Sequence, residues 1–256
     1  MSSERPLLHL DDVVRHFGGV NAVDGITLSA HSGEVIGVMG PNGSGKSTLF
    51  NLITGIYSPS SGKITLDGVD VTGYPPHVMA RHGVARTFQN PRVFGRLTAL
   101  QHAVVGQVDE SADVSVRGLI RHLGRPWTRA SDHANRVLER VFRGPAPEGV
   151  AAAQPYGTKR LLEVARCLAA SPRLLLLDEP TAGLNDAEGE RLRDVLSTVA
   201  REDGLTMLII AHNVEFLARL CSRIVVINRG KCISDGKPDN VRNDRVVFEA
   251  YFGGAR

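Results

Sequence analysis

The sequence predicts an α/β fold: a mostly parallel sheet covered on both faces by helices, with antiparallel strands beside it. Three observations carry this reading. Short apolar runs alternate with longer amphipathic ones. A glycine-rich stretch, GPNGSGKS at 40–47, joins an apolar run to an amphipathic one. Two places break the alternation with hairpin signals, one of them an Asp-Gly turn.

The elements follow in order. GEVIGVMG (33–40), GVARTF (83–88), RLLLLD (173–178) and LTMLIIAH (205–212) are too short and too uniformly apolar for surface helices, and read as buried strands. Helical patterns lie between them at 45–54, 98–105, 129–142, 158–170 and 187–202. Up to about residue 72 the chain is expected to form antiparallel strands, with KITLDGVDV as a hairpin. A second hairpin is expected at 223–236, turning at Asn228-Arg229-Gly230. Residues 109–128 are polar and irregular and read as a surface insertion leading into a helical block that ends near 150. The stretch QPYGTKR at 154–160 opens a helical run without a capping Ser, Thr, Asp or Asn.

Length and composition narrow the function. A chain of 256 residues can bury the core of one sizeable α/β domain. A net charge of +3 is too small to argue for nucleic acid. The longest apolar runs, LLLL at 174–177 and MLII at 207–210, fall far short of a membrane span. The N-terminus has no basic-then-apolar leader, and Cys167, Cys221 and Cys232 have no metal-ligand spacing. A cytoplasmic protein with reduced thiols is expected, reaching a membrane only through a partner.

GPNGSGKS matches the pattern GxxxxGK[ST] between a strand and a helix. Gly40, Gly43 and Gly45 let the backbone, with Pro41, Asn42 and Ser44, wrap closely around phosphates. The N–H groups and the helix start supply positive potential. Lys46 can reach the β- and γ-phosphates of a nucleotide, and Ser47, followed by Thr48, offers a hydroxyl to Mg²⁺. At the end of a second strand, Asp178 is suited to hold a Mg²⁺ hydration shell. Glu179, one residue on, is suited to polarise an attacking water, so the pair points to hydrolysis beyond binding. His212 ends the next strand, at the edge where open α/β sheets bind ligands, and is expected on the γ-phosphate. Gln89 also follows a strand and could reach Mg²⁺ and the water. Phe17, in a glycine-containing turn, is suited to stack on adenine or else to anchor the N-terminal strands.

These pieces, in this order, resemble the ATPase subunits of ABC transporters, a P-loop NTPase family. FGG, GPNGSGKST, RTFQ, LLLLDEPTAGLN and AH match its aromatic loop, Walker A, Q-loop, Walker B with D-loop, and His switch. The resemblance spans nearly the whole chain. It implies one ABC ATPase domain over 1–256: a core with an antiparallel β subdomain (about 1–90 and 151–237), a helical subdomain (about 91–172) and a helical tail (about 238–256). It implies that Gln154, Pro155, Tyr156, Gly157 and Thr158 stand where the family signature, usually LSGGQ, contacts the ATP of a second subunit. GGVNAVDGITL, ARTFQNPRVFGRLTAL, DEPTAGLN and VRNDRVVFEAYFGG further resemble the LivG-type ATPase of branched-chain amino acid importers. That resemblance implies a related second ATPase, two membrane permease subunits, a substrate-binding protein feeding them, and a place on the inner face of the cell membrane.

The signature departs from the family pattern. Pro155 brings neither hydroxyl nor N–H. Tyr156 replaces a Gly, Thr158 replaces Gln and Gln154 replaces Leu, while Gly157 is kept. Asn185 stands at the usual D-loop Asp, and Ala211 and Asn213 flank His212 in place of Glu and Asp. In a heterodimer whose other subunit has a standard signature, the site built on this chain's own Walker motifs is therefore expected to be the better hydrolytic one. Three other readings remain: a homodimeric lipopolysaccharide-export ATPase, a catalytically weak regulatory subunit, and a soluble ABC protein of ribosome or repair work. The last usually carries two cassettes or a coiled-coil insert, and neither pattern is found here.

Overall fold

The computed structural model describes residues 5–107 and 127–252. Two compact units divide them: residues up to 86, 173–180 and from 196 onward form the first, and 87–172 with 181–195 form the second.

The first unit holds two sheets. β1 (Leu8–Phe17), β2 (Val20–Ala30), β4 (Ser61–Leu66) and β5 (Val69–Asp70) form a four-stranded antiparallel sheet in the order β2-β1-β4-β5. β3 (Val35–Met39), β6 (Val84–Arg86), β7 (Leu174–Asp178), β8 (Thr206–Ile210), β9 (Arg223–Asn228) and β10 (Lys231–Gly236) form the other, in the order β10-β9-β3-β8-β7-β6. Every pairing in this sheet is parallel except β9 with β10.

Both expected hairpins form with two-residue loops whose residues lie at positive φ. Asp67 (φ 50) and Gly68 (φ 72) turn β4 into β5. Arg229 (φ 48) and Gly230 (φ 80) turn β9 into β10, with Asn228 already paired to Lys231. The second turn is therefore one residue tighter than its three-residue signal. A third hairpin joins β1 to β2 through Gly18-Gly19, which leaves Phe17 as the last residue of β1.

The parallel sheet is buried on both faces, which explains why its strands are apolar without alternation. Ile36, Val38, Leu174, Leu176, Leu208, Ile210, Val225 and Ile227 share one core with α1 (Lys46–Ile53) and the antiparallel sheet. On the other face, a Cβ at Gly37 would lie 3.1 Å from Leu217 of α7 (Val214–Leu220). α2 (Pro76–Arg81) carries no periodic signal long enough to read and appears only in the structure. The C-terminal segment forms α8 (Pro238–Arg242) and α9 (Arg245–Phe252). The expected strand at 83–88 shortens to β6, because the backbone from Thr87 leaves the sheet.

The second unit is helical. It contains α3 (Ala99–Gly106), α4 (Trp127–Phe142), α5 (Tyr156–Ala169) and the first half of α6 (Asp186–Asp203). Thr98 and Gln101 form a reciprocal capping box on α3. The expected insertion lies outside the described residues up to 126, and its last two positions belong to α4. Among the described residues, no helix is long and apolar enough to cross a membrane.

Candidate nucleotide site

Register brings the glycine loop, Asp178, Glu179 and His212 of the first unit to one sheet edge. Val38 pairs with Ile210, and Asp178 pairs with the same residue from the other side. The carboxyl ends of β3, β8 and β7 therefore lie side by side, with Gly40, His212 and Glu179 one or two residues beyond them. This is the edge where parallel sheets bind ligands.

The loop from Gly40 to Ser47 wraps tightly and leads into α1. Two of its glycines are dictated by space. A Cβ at Gly40 would sit 2.0 Å from the Ile227 carbonyl oxygen, and one at Gly45 (φ 108) would sit 2.2 Å from that of Ala22. Gly43 faces open space and answers only to its φ of 76. Lys46, 6% exposed, donates from Nζ to the carbonyls of Gly40 and Pro41, both at 2.8 Å, and to Ser44 Oγ at 3.3 Å. Burial lowers the Lys46 pKa, and the carboxylates of Glu179 and Asp178 oppose that shift. An ammonium held among oxygens at the mouth of this loop is placed to meet anionic phosphate. Pro41 is half-buried, Ser44 is buried, Asn42 and Ser47 are exposed, and Thr48 is half-buried on the first turn of α1.

Asp178 is buried and does not stand alone. Arg86 Nη2 donates to its Oδ2 at 2.8 Å, and Arg86 Nη1 donates to Asn51 Oδ1 at 2.6 Å. The guanidinium carbon lies 5.5 Å from the centroid of the Phe50 ring. Arg86 thus ties β6 to α1 and β7 and holds the carboxylate in place. Sequence reasoning missed it. The available signal was a charged residue inside an apolar strand pattern, which needs a buried partner.

Glu179 adopts a left-handed conformation (φ 48), uncommon for a non-glycine residue. Its N–H donates to the Ile210 carbonyl at 2.9 Å, which locks that turn. Its Oε1 lies 2.9 Å from His212 Nε2. A carboxylate beside an imidazole can hold and exchange a proton at this edge. Asn213, a departure from the family pattern, caps α7: its Oδ1 accepts from Phe216 N–H at 3.0 Å.

Phe17 is 41% exposed and packs edge-on against Tyr57, with ring centroids 5.2 Å apart. Arg15 lies over the Phe17 ring at 4.6 Å and donates to the Ser58 carbonyl. An exposed aromatic braced by a second ring and a guanidinium presents a flat apolar surface. Tyr57 and Arg15 carried no motif signal.

The remaining predicted residues lie in the second unit. Gln89 is exposed on the segment leaving β6, and its carbonyl accepts from Arg160 Nη2. Tyr156 begins α5 behind Pro155, which caps it without a side-chain hydrogen bond. Gln154 Nε2 donates to the Glu148 carbonyl at 2.6 Å, and Thr158 is half-buried. A Cβ at Gly157 would sit 2.2 Å from Glu188 Oε1, so a side chain there would make the Glu188 carboxylate move aside. Asn185 and Glu188 form a reciprocal cap on α6, each side chain accepting from the other's N–H. A Cβ at Gly183 would meet the Tyr156 ring at 2.9 Å, so Tyr156 in place of glycine is matched by a glycine opposite it.

Comparisons with known proteins identify the family. The family model for ABC transporters matches residues 23–182. The chain is 38% identical over 253 residues to the high-affinity branched-chain amino acid transport ATP-binding protein BraF of Pseudomonas aeruginosa, covering 98% of this chain and 99% of that one. It is 35% identical, with the same coverage, to the corresponding protein LivG of Escherichia coli K12. The lipopolysaccharide export ATP-binding protein LptB of Haemophilus influenzae is further away, at 30% identity over 96% of this chain and 97% of its own. Among solved structures, the ADP conformation of the ATP-binding cassette MJ1267 superposes with a TM-score of 0.84 at 28% identity, covering 98% of this chain and all of that one. The chain belongs to the ABC transporter family, as one of its ATP-binding, ATP-hydrolysing subunits.

Proposed function

We propose that this chain is the ATP-driven motor subunit of an importer for branched-chain amino acids or a related small polar solute. The observation that carries the motor is the shared sheet edge, where Lys46, Asp178 and the Glu179–His212 pair converge. Similarity to BraF and LivG over nearly the full chain supports the cargo.

The residues fit a nucleotide with Mg²⁺. Gly40 and Gly45 let the loop pack against the Ile227 and Ala22 carbonyls, and Gly43, facing open space, leaves bare backbone that can lie against phosphate. Lys46 exchanges its own carbonyl contacts for phosphate oxygens. Phe17 stacks on adenine. The metal supplies charge neutralisation on the phosphates when bound, and the Ser47 hydroxyl and Asp178 carboxylate are the oxygen donors that would hold it. Glu179 accepts the proton of the attacking water, and His212 holds Glu179 and the γ-phosphate in register. Gln89, by its resemblance to the family's Q-loop, is the residue that would reach the water and the metal. Catalysis on this scheme is positioning and charge stabilisation.

The chain works with a second ATPase subunit, preferentially a related but different one, and with two permeases at the inner face of the membrane. Residues 154–158 serve the partner's ATP. With Pro155 and Tyr156 there, the site built on this chain's Walker motifs is the stronger of the two, provided the partner's signature is standard.

One experiment addresses motor, asymmetry and cargo together. Glu179→Gln, and separately the partner's equivalent Glu→Gln, are placed in the assembled transporter, and ATPase and labelled leucine uptake are measured. Glu179→Gln should remove most turnover and uptake, and the partner substitution should remove less. Equal losses would sink the asymmetry, undiminished turnover in Glu179→Gln would sink the motor reading, and absent leucine uptake by the wild type would rule out leucine and leave a related small polar solute as the cargo.

A further inference from the structure

We propose that the buried pair Arg160–Glu163 is a positioning clamp, joining the backbone that carries Gln89 to the helix that opens with residues 154–158. The two segments then move as one body, linking this chain's own nucleotide to that of its partner. The inference rests on the roles given above to Gln89 and to 154–158.

Both side chains are 0% exposed. Arg160 Nη1 lies 3.0 Å from Glu163 Oε2 and also donates to the Phe88 carbonyl at 2.6 Å. Its Nη2 donates to the Gln89 carbonyl at 2.5 Å. Glu163 Oε1 accepts from the N–H groups of Phe88 and Arg92 at 3.1 and 3.3 Å. Arg166, one turn along α5, donates to the Arg92 carbonyl at 2.8 Å.

The segment after β6 has no sheet ladder, so its backbone polar groups must find partners elsewhere. They find them in charged side chains of α5. A buried ion pair is a poor means of gaining stability, because desolvating both charges offsets their attraction. It is a good means of fixing geometry: the guanidinium is a rigid planar fork and here grips two successive carbonyls. Lysine keeps the charge and loses the fork. Arg160 lies three residues, or about 4.5 Å of helix rise, beyond Gly157. A shift at the start of α5 therefore reaches the carbonyl of Gln89 through one side chain.

The test uses the assembled transporter with Arg160→Lys, Gln89→Ala, the double variant and Glu179→Gln. Arg160→Lys is expected to lower kcat by about 10-fold with the ATP Kd unchanged within about 2-fold, the signature of a group that acts on turnover alone. The double variant is expected to match Gln89→Ala, because one residue acts through the other. A near-normal kcat in Arg160→Lys, a parallel change in Kd, or losses that multiply in the double variant would each overturn the clamp. Hydrogen exchange on the wild type gives a reading independent of any variant's folding. The Phe88 and Arg92 amides should be protected about 10³-fold or more over an unfolded chain, like the middle of α5, and exchange at open-loop rates would overturn the clamp. Glu179→Gln separates the two failures: activity there overturns the ATPase roles themselves, whereas inactivity there with a normal Arg160→Lys overturns the clamp alone.

Discussion

Glu179 Oε1 and His212 Nε2 lie 2.9 Å apart, joining the ends of two neighbouring parallel strands. Glu179 reaches this position from a left-handed backbone conformation, φ 48, held by its N–H bond to the Ile210 carbonyl. A non-glycine residue in that region is strained by about 1 kcal/mol or more. Strain of this kind persists where the surrounding structure over-determines it.

Glu179→Gly is therefore expected to keep or raise thermal stability, by up to about 1 kcal/mol, while ATPase falls to background. Calorimetry and steady-state turnover on the same sample check both halves. A clear loss of stability would show that the carboxylate, through His212, holds the turn together.

Arg86→Ala leaves Asp178 buried without the guanidinium 2.8 Å away. Breaking a buried pair on one side typically destabilises by about 3–5 kcal/mol. Arg86→Ala should lower the melting temperature strongly, and adding Asp178→Asn should recover part of the loss. Denaturant unfolding of both single variants and the double variant gives the coupling directly; additive losses would contradict it.

Phe17→Ala removes the exposed ring braced by Tyr57 and Arg15. Stacking of a base on an aromatic is worth about 1–3 kcal/mol, so ATP affinity should fall roughly 5- to 150-fold. Affinity for inorganic tripolyphosphate, which has no base, should stay unchanged, and Phe17→Tyr should restore ATP binding. Calorimetric titration with the two ligands reads the difference.

His102 gives the second unit a pH dependence. It is buried on α3, its Nε2 accepts from Phe94 N–H at 2.6 Å, and its Nδ1 has no partner among the described residues. Burial, helped by the Arg166 charge, pushes its pKa down from 6.5 to about 4. Between those values the unfolded chain binds the proton more readily than the folded one. The stabilisation is complete above pH 6.5 and is lost as pH falls toward 4, by on the order of 2 kcal/mol. Melting temperatures across that window should decline less steeply in His102→Gln.

Much of this was legible beforehand. GPNGSGKS, LLLLDEP and the terminal His212 of LTMLIIAH are contiguous signals, each carrying its own backbone requirement: close approach, a buried strand end, an exposed edge. Hairpins at Asp67-Gly68 and Arg229-Gly230 were readable because a glycine with an Asp or Asn close before it marks a tight turn, although Arg229 itself sits at φ 48, where arginine is uncommon. QPYGTKR read first as a helix start without a cap, and α5 does begin there without one. What could not be read is its packing: Gly157 makes room for Glu188, and Tyr156 lies against Gly183.

Arg86, Tyr57, Arg160 and Glu163 escaped notice for a related reason. A lone arginine in a strand, or an i,i+3 charge pair in a helix, looks the same whether it faces water or a buried partner.

The sequence by itself determined the kind of site, because glycine placement, strand apolarity and terminal acids are local constraints that neighbouring residues satisfy among themselves. Only the tertiary structure decided who holds the site. The partners of Asp178, Glu179 and the Gln89 backbone come from segments 92, 33 and 71 residues away in the chain. Which of them meet depends on strand order and register, and these follow from burying both faces of the sheet rather than from any local run of residues.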